Sequence, residues 1–256
     1  MTRHRAVFIL ALLFFIAESA FGQTSWKRVS WFTFDWDGHK DVQVVLEIPP
    51  AWSDPGDFTR LRIRVPGQKE FVLKNNTGWV KYCSEGAGIP SDFVHSVKNA
   101  APSGYVLALK VTPGRTLLFL LGYAYASSPG SLDVLEISAT GQPRVVLHKE
   151  ELGLHEVRDL DGDGVAEIVG YPCLSQMFGN GLQTYDPFNI YKLSSASATP
   201  AKLSLPLSKS YNIKHYYGWA GAQCSEDVAV VLHPPKGGKP RVMSTKEAER
   251  LTQSKP

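Results

Sequence analysis

Little in this sequence is extreme, and each shortage excludes something. Charge is nearly balanced, with 27 basic and 24 acidic residues giving +3. No run of like charge reads as an interaction tail. Such balance leaves no electrostatic footprint for nucleic acid or an anionic membrane. Cysteine is scarce, at Cys83, Cys173 and Cys224 only. In an oxidising compartment that composition predicts one disulfide and one free thiol, with three pairings open. Cys83 and Cys224 share the context C-S-E, a likeness that does not establish a bond. A nucleophilic cysteine needs a base beside it, and the sequence places none of its histidines there, so a structural role is favoured.

Familiar catalytic signatures are also missing. There is no G-x-S-x-G elbow, no H-E-x-x-H helix and no glycine-rich phosphate loop. Long apolar runs are confined to Ala6 to Ala17, 12 residues against the roughly 20 a membrane-spanning helix needs. That run follows M-T-R-H-R and precedes the small-residue exit E-S-A-F-G-Q. Such a layout is that of a secretory signal peptide, expected at 1–22 with cleavage after Gly22. Its removal takes away Arg3, Arg5 and Glu18 and leaves a net charge of +2. The expectation is a secreted or periplasmic protein, 23–256, forming a single domain without membrane insertion.

What is abundant is β-type patterning. Apolar alternation punctuated by Gly, Pro, Asn and Asp predicts strands at Val42–Ile48, Leu61–Val65, Glu70–Leu73, Tyr105–Val111 and Thr116–Tyr125. Further strands are expected at Leu132–Ile137, Arg144–Leu147, Glu167–Tyr171, Phe188–Leu193 and Val228–Leu232. Leu61–Val65 alternates cleanly, placing Arg62 and Arg64 opposite the apolar face. Thr116 to Leu121 is apolar on both faces, as a central buried strand would be. Asp37-Gly38 reads as a hairpin turn. Helical signal is limited to Ser208–Tyr217, closed by Gly218, and to Ser244–Leu251. The fold expected is all-β, a propeller-like or partial propeller arrangement of short antiparallel strands, with at most one or two short helices near the C-terminus.

The stretch D-L-D-G-D-G-V-A-E-I-V-G, 159–170, concentrates the chemistry. Taking Asp159 as position 1, Asp161, Asp163, Val165 and Glu167 fall at 3, 5, 7 and 9. In a tightly turning loop, alternate positions converge on one point. Gly164 supplies a positive-φ turn, and the Val165 carbonyl adds an oxygen without needing a side chain. Hard oxygens in this number suit Ca²⁺, and four clustered carboxylates repel one another without a cation. An EF-hand needs a bidentate Glu at position 12, where this chain has Gly170.

The motif resembles instead the calcium loops of FG-GAP and VCBS-type repeats, D-x-[DN]-x-D-G-x-x-[DE] between two strands, as in propeller proteins. It is similar also to exported bacterial proteins carrying one such loop. By that resemblance Asp159, Asp161, Asp163 and Glu167 give side-chain ligands and Val165 a backbone oxygen to a structural Ca²⁺.

The function expected is therefore an exported, calcium-binding, β-rich module for binding or scaffolding, its ligand a protein or carbohydrate. The balance leans away from an enzyme, because acids on a calcium ion are held ionised and do not serve as general acids. Alternatives are a hydrolase whose site is assembled from distant residues, or a structural envelope protein without a ligand. A cleft holding a histidine–acid pair would favour the hydrolase. His215, set among aromatics, is the leading single residue outside the loop, with a packing role expected. Asp54, Asp57, Glu85 and Asp92 are scattered acids, and six tryptophans offer either core or stacking surface.

Overall fold

A computed structural model describes residues 25–126, 128–174, 176–178, 181–195, 199–216, 218–234 and 238–253. The expected signal peptide, 1–22, lies outside them. The fold is all-β with few short helices, built from three open antiparallel sheets.

The largest sheet begins with a meander of β1 (Lys27–Trp36), β2 (His39–Ile48), β3 (Phe58–Arg64) and β4 (Phe71–Val80). A second meander follows with β5 (Leu107–Thr112), β6 (Arg115–Gly122), β7 (Leu132–Ile137) and β8 (Pro143–Lys149). The two meet through β4 and β6, whose register contains only Trp79↔Gly122 and Val80↔Leu121. A four-stranded sheet runs β14 (Lys202–Leu203), β13 (Asn189–Lys192), β10 (Glu167–Tyr171), β9 (Gly153–Arg158). The last runs β11 (Met177–Phe178), β12 (Leu182–Tyr185), β15 (Ser225–Val231), β16 (Arg241–Ser244).

Local chemistry explains these elements. Asp37 and Gly38 both take positive φ, 46° and 89°, as a two-residue type I′ hairpin requires. The Asp37 carboxylate then accepts Thr116 N–H at 2.6 Å and Thr116 Oγ1–H at 2.8 Å, tying the hairpin to the start of β6. All eight residues of β6 are buried. Leu117, Phe119 and Leu121 join one core, shared with β5, β7, β9 and β10, while Leu118 and Leu120 join the other, shared with Trp36, Phe58 and Trp79. This two-sided burial is what the unbroken apolar pattern requires. Each fully buried leucine contributes about 1.5–3 kcal/mol by transfer from water. On β3, Leu61 and Ile63 face the core while Arg62 on the opposite face bonds Glu47 at 2.9 Å and Glu70 at 3.1 Å.

Among the described residues three α-helices complete the fold: α1 (Ser91–Ser96), α2 (Leu205–Tyr216) and α3 (Thr245–Gln253). The latter two are the pair expected near the C-terminus. Helix α2 starts ahead of its apolar pattern, because Pro206 suits the first turn and Ser204 Oγ accepts Leu207 N–H at 3.5 Å. Helix α1 has no periodic pattern to announce it; Phe93 N–H bonds the Pro90 carbonyl at 3.1 Å and its ring reaches the core.

Candidate functional site

The acidic loop joins β9 to β10, and the register Arg158↔Glu167 makes it the connection of an antiparallel hairpin. Its backbone is folded by its own carboxylates. Asp159 Oδ1 accepts Gly162 N–H at 2.7 Å and Asp159 Oδ2 accepts Gly164 N–H at 2.9 Å. Asp163 Oδ1 accepts Val165 N–H at 2.9 Å, and Gly164 takes the positive φ, 84°, anticipated for it.

Carboxylate oxygens of Asp159, Asp161 and Glu167 lie within 4.8 Å of one another. Asp163 is the remaining acid; its Oδ2 meets Lys192 Nζ at 2.8 Å, and Lys192 also bonds Asp161. That ammonium holds the Asp163 carboxyl below the usual carboxylate range, and the two acids raise the pKa of Lys192 in turn. Val165 is half-buried and rests on the core beside β9 and β10.

Glu167 differs from the other three acids. It is completely buried, Oε2 accepts Leu160 N–H at 2.8 Å, and Oε1 has no partner among the described residues. Burial pushes its carboxyl above the usual range. A charged oxygen without a partner in a buried position is costly. A hard divalent cation between Asp159, Asp161 and Glu167 would satisfy it, and the all-oxygen donor set fits such an ion.

The remaining candidates sort by what they touch. His215 stacks on Tyr211 with ring centroids 4.2 Å apart, and Phe188 lies 5.7 Å away, so it is part of an aromatic cluster on α2. His155 from β9 joins that cluster at 4.4 Å from Phe188, and burial depresses its pKa. Trp36 and Trp79 are fully buried, whereas Trp26 lies beneath the Arg60 guanidinium at 3.8 Å. Trp52 donates to Gly56 O at 2.9 Å, and Trp31 is 54% exposed. Asp57 accepts Lys81 N–H at 2.9 Å, Asp92 Oδ1 in the first turn of α1 accepts Phe93 N–H at 3.1 Å, and Asp54 lines a surface cavity. Among the described residues no hydrogen bond joins Asp54, Asp57 and Asp92 to one another. The disulfide links Cys173 to Cys224, and Cys83 is a free, exposed thiol, so the shared C-S-E context does not mark the bonded pair.

A histidine–acid pair is present that no local motif announces. Asp133 on β7 and His148 on β8 are register partners, with Asp133 Oδ1 and His148 Nδ1 2.6 Å apart. Trp79 Nε1–H bonds the other oxygen, Oδ2, at 2.8 Å. The only trace in the sequence is a pair of acids, Asp133 and Glu136, on an otherwise apolar strand, L-D-V-L-E-I. The chain matches no family model, no curated protein and no solved structure.

Proposed function

We propose that this chain is an exported, calcium-binding all-β module that binds or scaffolds a protein or carbohydrate outside the cytoplasm. The observation that carries the calcium assignment is Glu167 Oε1, buried and without a partner beside two further carboxylates. In this reading Asp159, Asp161, Asp163 and Glu167 supply side-chain oxygens and Val165 its carbonyl, with Asp163 released from Lys192. The ion is structural: it holds the β9–β10 connection and offsets part of the repulsion among four acids. Support for the propeller-like reading comes from the four-stranded meanders, since propeller blades are four-stranded sheets.

Outside cells calcium is plentiful enough for a loop of Kd on the order of 10⁻⁴–10⁻³ M. The test is thermal unfolding with calcium and with a chelator, for the wild type and for Asp161→Ala/Asp163→Ala. At a calcium concentration 100 times Kd, mass action adds about 2.7 kcal/mol to the stability of the wild type. The double variant should show no response. Identical wild-type midpoints in calcium and chelator would overturn the assignment.

A further inference from the structure

On β8, the end strand of the large sheet, lies a histidine fixed on one side and open on the other. Asp133 is 2% exposed and its carboxylate is engaged at both oxygens, by Trp79 Nε1–H at 2.8 Å and by His148 Nδ1 at 2.6 Å. A carboxylate accepts, so Nδ1 carries the hydrogen of that bond and Nε2 of the neutral ring keeps its lone pair. The His148 side chain is 56% exposed. It lines a cavity of about 460 Å³ together with Asn75, Thr77, Ser131 and Glu150. An adjoining cavity of about 500 Å³ shares Thr77, Ser131 and Glu150 and adds Tyr125, which is 73% exposed.

We propose that His148 is the general base of a hydrolytic site, with Asp133 its positioning residue, acting on carboxylic esters of polar alcohols. A water against Nε2 gives up a proton to the ring as its oxygen bonds the ester carbonyl carbon. The carbonyl π pair moves onto the carbonyl oxygen. When this tetrahedral anion collapses, the C–O bond to the alcohol breaks and the leaving oxygen takes the proton back from Nε2. The products are an acid and an alcohol, and the ring returns neutral. Asp133 stabilises the imidazolium formed in between. Esters suit the site because one group that takes and returns a proton suffices, whereas glycosides need two acids placed across the bond. Asn75 donates to Ser131 Oγ at 3.0 Å and accepts from Thr77 Oγ1 at 2.8 Å, so the Ser131 hydroxyl hydrogen and the second Asn75 N–H are the donors this trio offers a polar alcohol portion.

The experiment measures hydrolysis of 4-nitrophenyl acetate and glycerol triacetate by the full chain and by H148N, D133N and H95N. His95 is exposed on α1 and measures what any surface imidazole contributes. H148N should lose about 10²-fold or more in kcat, the usual worth of a general base, with an unchanged melting midpoint. H95N should match the wild type. D133N keeps the imidazole but not its orientation, so kcat should fall while KM stays within about twofold of wild type. Independently of whether D133N folds, nitrogen-15 shifts of wild-type His148 should report Nε2 as the unprotonated ring nitrogen. Equal rates for wild type and H148N, equal slowing in H148N and H95N, or a hydrogen on Nε2 of the neutral ring would each overturn the proposal.

Discussion

Lys192 Nζ lies 2.8 Å from Asp163 Oδ2 and also bonds Asp161 Oδ2, so one ammonium bridges two acids of the β9–β10 loop. A cation entering that loop must displace it. Lys192→Met should therefore lower the melting midpoint in chelator, by leaving the acids to repel one another, and enlarge the rise that calcium produces. Calorimetric titration checks the same point: the variant should bind calcium more tightly than the wild type. Equal or weaker binding would show that Lys192 is not a competitor.

Glu167→Gln separates the buried charge from the shape of the side chain. The amide oxygen can still accept Leu160 N–H, while the unpartnered carboxylate oxygen is replaced by an NH2 that can donate to the neighbouring Asp159 and Asp161 carboxylates. In chelator the variant should be more stable than the wild type by about 1 kcal/mol, the low end of what an unsatisfied buried group costs. It should also lose the calcium response. Urea unfolding with and without calcium reads both effects.

The Cys173–Cys224 bond closes 51 residues of sequence separation, spanning β11 to β14 and α2. Restricting the unfolded chain over that length stabilises the fold by about 4 kcal/mol in the chain-entropy description. Cys173→Ser/Cys224→Ser should lower the urea midpoint by a corresponding amount, and Cys83→Ser should leave it unchanged.

Burial holds His155 below the ordinary histidine value of 6.5, so the folded state refuses a proton that the unfolded chain accepts. Stability is then complete above pH 6.5 and declines as pH falls from 6.5 toward the depressed folded value. His155→Phe should flatten this part of the pH–stability curve while keeping contact with Phe188 and Tyr211. Thermal midpoints at half-unit steps from pH 7.5 to about 5 test it, since most carboxylates titrate lower. An unchanged slope in the variant would assign the effect elsewhere.

Much of the sheet framework is legible in the sequence, because burial pattern and turn chemistry are local. Leu132–Ile137 and Glu167–Tyr171 fall on the expected residues, and Asp37-Gly38 is the expected turn. Strand β1 is harder to read: K-R-V-S-W-F-T-F-D-W carries bulges between Arg28 and Ser30 and between Phe34 and Trp36, which break strict alternation. Strands β11 and β14 have two residues each and leave no periodic trace. At the acidic loop, spacing alone names Asp159, Asp161 and Glu167, whose carboxylates the hairpin gathers, and also Asp163, which lies on Lys192 instead. What it does not reveal is Lys192, which approaches from β13 across 31 positions of sequence. Nor does it reveal the Trp79–Asp133–His148 chain, whose members are 54 and 15 positions apart: His148 meets Asp133 by register, and Trp79 reaches it from β4, on the other side of β6.

The narrow join between β4 and β6 gives that chain a mechanical meaning. Only two register pairs join the two four-stranded halves in the ladder, and the rest of the joint is made by side chains: the Asp37–Thr116 bonds, a shared core, and the indole of Trp79 on Asp133. Asn75 and Thr77 reach the cavity from the first half, and Ser131, His148 and Glu150 from the second. A ligand seated in that cleft would touch residues of both halves, so the cleft keeps its shape only while the two halves stay joined.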